Sequence, residues 1–166
     1  MNAIRTSLVL VLAAALVAVI LNACDTSSDD DPGLEIDPDF IIAESFTAQA
    51  DSVVTTESGL KYLQIEAGTG VQTEAGDRVF VHYVGQLTDG GEFDNSYDRG
   101  EPLDFILGDS RLIPGFTEGV SLMREGETAQ ILIPPNLAYG ASGSQSGNIP
   151  PNATIAFELE LVELRK

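Results

Sequence analysis

The amino-acid sequence predicts an α+β domain in which one short helix packs on one face of an antiparallel sheet. Three observations lead to this fold class. From about residue 52 onward, segments rich in β-branched and aromatic residues recur; glycine-containing turns separate them; and one segment has apolar residues at helical spacing. A chain of 166 residues has room for one such domain with appendages, and the sequence contains no internal repeat.

The first predicted strands are residues 60–65 and 78–87, because both are dominated by aliphatic, aromatic and β-branched side chains. After the second strand comes Asp89-Gly90-Gly91, which is typical of a hairpin turn because glycine readily takes a positive φ. Another strand is predicted around Phe105, where Leu103, Phe105 and Leu107 alternate along the chain. We expect this strand to bury mainly one of its sides.

The predicted helix begins near Pro114, since proline is well tolerated in a first helical turn. Phe116, Val120 and Met123 follow at helical spacing, and Gly126 comes soon after as a stop signal. Two more strands are predicted, at residues 128–133 and 155–161. In the last of these, apolar residues occupy the odd positions, which indicates a half-buried strand.

Residues 1–23 are interpreted as a signal peptide, because Arg5 precedes an apolar run that spans residues 8–21. The run is shorter than the roughly 20 residues of a bilayer-spanning helix. A short uncleaved anchor helix is the alternative. The segment Leu21-Asn22-Ala23-Cys24 resembles a bacterial lipobox, and Cys24 is the only cysteine. We therefore expect lipid on Cys24 and an exported protein anchored to a bacterial membrane, facing the periplasm or the cell exterior.

Residues 24–51 are predicted to be an acidic flexible tether and linker, followed by the folded domain at residues 52–166. Between Asp25 and Gly33 the tether has no apolar side chain and no positive charge, so it cannot bury surface to offset the entropy of ordering. Residues 36–50 admit two interpretations, because Phe40, Ile41, Ile42 and Phe46 fit either a short apolar helix face or a linker.

Composition and motifs exclude several classes of function. A net charge of −18 argues against nucleic acid as a partner, since phosphates require basic patches. The single histidine, His82, lies within a predicted strand and has too few partners for a zinc site. Ser142 lacks the final glycine of a nucleophile elbow, and no phosphate-binding GxxxxGK[ST] loop occurs. We interpret His82 as structural and expect neither a metal nor a cofactor.

Six segments, in order, resemble the successive motifs of FKBP-type peptidyl-prolyl isomerases across about residues 58–164. They are VHYVG at 81–85, FDNS at 93–96, PLDF with LG at 102–108, LIPGFTEGV at 112–120, IPPNLAYG at 133–140 and IPPNATI at 149–155. The resemblance implies a five-stranded antiparallel sheet curled around the helix that starts at Pro114. It also implies an apolar pocket between that helix and the concave face of the sheet.

The resemblance implies that the domain accelerates rotation about X–Pro bonds in unfolded or partly folded exported polypeptides. Catalytic positions would be Asp94, Tyr139 and Ile113. Substrate-binding positions would be Tyr83, Phe93, Arg99, Leu103, Leu112, Phe116, Ile149 and Phe157. A membrane-tethered chaperone or binding module with little turnover is the alternative, and a purely structural lipoprotein is a third possibility that leaves the ordered motifs unexplained.

Three positions depart from the usual family pattern. Phe116 stands where tryptophan is common, Leu103 replaces a frequent aromatic residue, and residues 142–148 form a polar, glycine-rich loop. We expect proline binding with an altered rate and sequence preference. The family also implies macrolide inhibitors as partners, and these three departures leave sensitivity to them open.

Overall fold

A computed structural model of the chain describes residues 41–166. The predicted signal peptide, the lipid site at Cys24 and the tether up to residue 40 lie outside these residues. Within the described part, none of the helices is long and apolar enough to cross a membrane. The helices and strands are α1 (Ile42–Ala48), β1 (Val54–Thr55), β2 (Lys61–Glu66), β3 (Arg78–Leu87), β4 (Glu92–Asn95), β5 (Leu103–Ile106), α2 (Pro114–Ser121), β6 (Thr128–Ile133) and β7 (Ile155–Arg165).

The strands form one antiparallel sheet in the order β1-β2-β6-β7-β3-β4, and β5 also pairs with β3. β4 and β5 lie against opposite ends of β3, beside Val84–Gln86 and Arg78–Val81 respectively, so together they occupy one position in the sheet. Apart from the two-residue β1, five positions remain, as the resemblance implies. The C-terminal strand β7 is central, between β6 and β3.

The predicted strands 78–87 and 128–133 have the predicted bounds. The helix that starts at Pro114 ends at Ser121, earlier than the predicted spacing through Met123, and β7 continues beyond its predicted end to Arg165. The sequence prediction did not include the short strands β1 and β4.

A second α-helix, α1, lies within the segment predicted as a linker, and it takes the helical alternative for part of residues 36–50. Ile42 and Phe46 are buried against Leu63 and Ala156. The backbone N–H of Ile42 donates to Oε1 of Gln86 at 3.0 Å. Side chains alternate across a strand, and the neighbours of Ala156 in β7 belong to the main core, so α1 covers the outer face of the sheet.

Helix α2 lies on the inner face, where Phe116, Val120 and Met123 are almost fully buried in the main core. Its glycines permit a close approach to β6. A Cβ atom on Gly115 would be 2.3 Å from Cγ2 of Ile133, and one on Gly119 would be 2.7 Å from Cδ1 of Ile131. The helix backbone therefore rests directly on β6, which fixes the position of Phe116 in the first turn of α2.

Candidate active site

A pocket of about 320 Å³ lies between α2 and the inner face of the sheet. Except for Arg99, all the site residues named from the sequence line it. The lining residues are Tyr83, Phe93, Asp94, Leu103, Arg111, Leu112, Ile113, Phe116, Tyr139, Ser144, Ser146, Asn148, Ile149 and Phe157. The sequence motifs thus identify residues that the fold brings together from four strands, helix α2 and the connecting loops.

Aromatic rings form the floor and one wall of the pocket. Phe116, at the start of α2, meets Tyr83 and Phe157 edge to face, with ring centroids 5.5 and 5.3 Å apart. Phe93 meets Phe157 in the same way at 5.5 Å. Edge-to-face packing is the favoured geometry for such rings, and here it leaves an apolar concavity between them.

Gly85 of β3 makes room for two of these rings. It lies opposite Phe157 in the register between β3 and β7. A Cβ atom on Gly85 would be 2.7 Å from the ring of Phe157 and 2.8 Å from the ring of Phe93. Both rings therefore pack over the backbone of the strand, where any larger residue would displace them into the pocket.

Asp94 belongs to a closed set of three side chains. Its Oδ2 accepts a hydrogen bond from the Tyr83 hydroxyl at 2.6 Å, and its Oδ1 accepts one from Nη1 of Arg99 at 2.6 Å. Nη2 of Arg99 also donates to the Tyr83 hydroxyl at 2.7 Å. Arg99, predicted as a substrate-binding position, thus lies outside the pocket lining and instead orients two residues that line it, because its guanidinium is taken up by Asp94 and Tyr83.

These contacts set the ionisation of the two acids. Burial disfavours the charged carboxylate of Asp94, but the hydrogen bonds from Tyr83 and Arg99 and the charge of Arg99 outweigh it and lower the pKa of Asp94. Burial, together with the hydrogen bond to Asp94, raises the pKa of Tyr83 to about 12. At neutral pH the site therefore holds a fixed carboxylate and a neutral phenol.

The segment that follows Asp94 is fastened to β3 by Ser96, which is fully buried. Its hydroxyl accepts the backbone N–H of Tyr83 at 2.8 Å and donates to the backbone carbonyl of Tyr83 at 3.2 Å. His82 also contacts this hydroxyl through Nδ1 at 3.0 Å, and its ring stacks on Tyr97 with centroids 4.4 Å apart. His82 lies outside the pocket lining.

Two polar groups of the pocket are open to a ligand. Ile113 directly precedes α2, and its backbone N–H donates to no acceptor within residues 41–166. The hydroxyl of Tyr139 makes no hydrogen bond to the described side chains, and 38% of this residue is exposed. Burial and the nearby charge of Asp94 raise the pKa of Tyr139, which keeps its hydroxyl protonated.

Sequence reasoning did not name four polar residues of the pocket lining, which are Arg111, Ser144, Ser146 and Asn148. Three of them belong to the polar loop at 142–148, which the sequence marked as unusual. The loop is held by the Ser144 hydroxyl, which accepts the backbone N–H of Ile149 at 3.0 Å. Arg111 adjoins the LIPGF motif, and that adjacency was the available signal.

The sequence profile of the family described as FKBP-type peptidyl-prolyl cis-trans isomerase matches residues 70–162. The chain is 48% identical over 119 residues to the FKBP-type peptidyl-prolyl cis-trans isomerase FkpA of Aeromonas hydrophila, a match that covers 72% of this chain and 43% of that protein. It is 44% identical over 107 residues to FK506-binding protein 1 of Dictyostelium discoideum, covering 64% of this chain and 99% of that relative.

Among solved structures, the crystal structure of FkpA from Escherichia coli matches with a TM-score of 0.65 at 46% identity. The match covers 74% of this chain and 55% of that one. The chain spans less than half the length of the FkpA proteins whose sequences it matches. The profile match extends over more than half of the chain and includes all the residues that line the pocket. The chain therefore belongs to the FKBP-type peptidyl-prolyl cis-trans isomerase family.

Proposed function

We propose that this protein accelerates cis–trans isomerisation of X–Pro bonds in exported polypeptides by enclosing the proline and stabilising the twisted amide. The observation that carries the proposal is the apolar pocket, in which four rings packed edge to face line a space of about 320 Å³ next to an ionised carboxylate. A single proline side chain with its flanking peptide groups is small enough to enter such a space.

The reaction requires no bond to a catalyst. Resonance across the C–N bond gives the amide a rotation barrier of about 18–20 kcal/mol, so uncatalysed isomerisation takes about tens to hundreds of seconds. Twisting removes the resonance and with it much of the charge separation between oxygen and nitrogen. An apolar enclosure solvates the planar, more polar amide poorly, and it therefore favours the twisted state relative to water.

In this proposal Phe116, Phe93 and Phe157 enclose the proline ring, with Tyr83 as the fourth aromatic wall. The Ile113 N–H and the Tyr139 hydroxyl bind substrate carbonyl groups, since both donors are open to a ligand among the described residues. Loss of resonance leaves the amide carbonyl carbon more electron-poor, and the carboxylate of Asp94 beside it stabilises that carbon. No residue transfers a proton.

The remaining predicted positions shape the pocket or hold it. Leu103, Leu112 and Ile149 line it as apolar walls, and Arg99 orients Asp94 and Tyr83 from behind. The twisted amide thus meets groups whose positions are set before the substrate binds. Pre-set groups of this kind do not have to reorganise during the reaction.

We also propose that the protein acts outside the cytoplasmic membrane while anchored by lipid on Cys24. The support is the sequence alone: an apolar run too short to span a bilayer, followed by Leu21-Asn22-Ala23-Cys24. Mass spectrometry of the protein from a bacterial host should detect diacylglycerol on Cys24. A Cys24→Ser variant that still partitions with the membrane would contradict the anchor.

A protease-coupled assay on a proline-containing peptide tests the isomerase. The purified protein should accelerate isomerisation, and Asp94→Ala and Tyr139→Phe should each lower kcat/KM by about tenfold, equivalent to about 1.4 kcal/mol of transition-state stabilisation. Asp98→Ala is the matched control, because Asp98 is exposed and lies nearby without lining the pocket. Circular dichroism checks that each variant is folded. A folded protein without acceleration would favour the binding-module alternative.

A further inference from the structure

Arg111 lies where the pocket opens into two further depressions. The first, of about 160 Å³, shares Leu103, Arg111 and Leu112 with the pocket and continues to Phe105. The second, of about 370 Å³, shares Asp104, Phe105 and Arg111 with the first and continues to Ile106. Since Leu103–Ile106 is strand β5, the pocket extends as a groove along that strand. Arg111 lines the pocket and both depressions of this groove.

The guanidinium of Arg111 is held in place with donors to spare. Asp109 accepts hydrogen bonds from the backbone N–H of Arg111 at 3.0 Å and from Nε at 2.8 Å, and its Oδ2 forms an ion pair with Nη2 at 2.6 Å. A guanidinium has five N–H donors, so three remain available. The Arg111 side chain is 79% exposed while that of Asp109 is 22% exposed, so the cation is the more accessible partner of the pair, and Asp109 lines the first depression beside it.

Each arginine of this region is paired with a carboxylate, and Arg111 is the most exposed of the three. Arg78, which also lines the groove, pairs with Asp104, and Asp94 in the pocket pairs with Arg99. Arg111 is the only basic side chain of the pocket lining among the described residues. It is therefore a local cation on a protein whose net charge of −18 otherwise repels anionic chains.

We propose that Arg111 selects polypeptides that carry an acidic side chain directly after the proline. This inference rests on the proposed function, in which Asp94 lies beside the X–Pro amide and the Ile113 N–H binds a substrate carbonyl, and it assigns that carbonyl to the proline itself. Arg111 precedes Ile113 by two residues. The polypeptide that follows the proline then passes Arg111 and enters the groove along β5, whose apolar wall is Leu103 and Phe105.

The test uses the full-length protein and three blocked pentapeptides that differ only in the residue after the proline, which is Glu, Gln or Lys. Exchange NMR measures kcat/KM for each peptide without a coupling protease. Physiological ionic strength is used, because a screening length of about 8 Å limits the effect of the overall charge. We expect kcat/KM to decrease in the order Glu, Gln, Lys, with about a three- to tenfold difference between the Glu and Lys peptides.

Three variants distinguish the effect of Arg111 on peptide preference from the effect of the overall net charge. Arg111→Gln should abolish the preference for Glu and turn it towards Lys, since only the overall negative field then remains, whereas Arg111→Lys should keep part of it. Arg124→Gln removes the same charge from an exposed residue outside the pocket and should leave the preference unchanged. Chemical-shift titration gives the affinity of each peptide as a second measurement.

Several results would overturn the inference. It fails if wild-type protein treats the Glu and Lys peptides equally, if Arg111→Gln keeps the preference, or if the preference follows the residue before the proline instead. If no peptide is isomerised faster than in buffer, the proposed function fails, and the affinities alone then decide whether Arg111 selects acidic chains.

Discussion

The inner face of the sheet carries a helix and a pocket, whereas the outer face carries a helix in direct apolar contact. On the inner face, the rings of Phe116 and Phe157 meet edge to face and leave a space between them. On the outer face, Ile42 and Phe46 of α1 pack on the small Ala156 and on Leu63. Both faces bury apolar surface and stabilise the fold, and on the inner face of the described sheet the edge-to-face rings leave room for a ligand.

The largest expected effect comes from removing one ring on each face. Phe116→Ala and Phe46→Ala should each lower the free energy of unfolding by about 3–5 kcal/mol, with Phe46→Ala at the lower end because its cluster is smaller. Only Phe116→Ala should also lower kcat/KM per folded molecule. Urea unfolding measures the loss of stability, and the peptide assay measures kcat/KM. Lost activity in folded Phe46→Ala would contradict the claim that the outer face stabilises the domain without contributing to activity.

A smaller effect is expected from Gly85→Ala, which fills space behind the pocket rings. The added methyl would lie within 2.8 Å of the rings of Phe93 and Phe157, so both must move. We expect a loss of about 1–3 kcal/mol in stability and a raised KM. Gly91→Ala is the control, because its Cβ would be no closer than 3.3 Å to its neighbours. An unchanged KM in Gly85→Ala would show that ring positions do not limit binding.

The smallest expected effect concerns pH. The lowered pKa of Asp94 keeps its carboxylate ionised, and the pKa of about 12 keeps Tyr83 neutral, so kcat/KM should be flat between about pH 5 and 8. The stability that Asp94 contributes is present above its unfolded-state pKa and is lost as pH falls through its lowered pKa. Arg99→Gln removes a hydrogen bond and a positive charge that lower the pKa of Asp94. The fall in kcat/KM at acid pH should therefore begin at a higher pH in this variant, and pH–rate profiles of both proteins measure the shift.

The sequence predicted the longer strands because they depend on local composition, whereas the pocket residues followed from the resemblance to the FKBP-type family. Aliphatic, aromatic and β-branched residues marked β3, and the ordered motifs of the family identified Phe116 and Tyr139 as pocket positions. Helix α1 was left as one of two alternatives, because a seven-residue segment shows too little of the helical period. Its apolar residues are explained only by the outer face of the sheet, which no local pattern describes.

The polar side of the pocket depends on tertiary placement rather than on local pattern. Ser144, Ser146 and Asn148 belong to a loop whose course is set by bonds such as that between the Ser144 hydroxyl and the Ile149 N–H. Arg111 lies outside the helices and strands, so no periodic pattern in the sequence marks it. Its place beside the pocket is visible only in the folded structure. The strands β1 and β4, of two and four residues, are too short for their alternation to be recognised.

The two glycines of α2 make the formation of the pocket depend on the sheet. Gly115 and Gly119 each disfavour an isolated helix by about 1 kcal/mol, and eight residues are fewer than the roughly 12–15 that such a helix needs in water. The helix is therefore stable only against β6. Since β7 follows β6 in the chain, is central in the sheet and supplies Phe157, the aromatic lining of the pocket is complete only after residues 155–165 have joined the sheet.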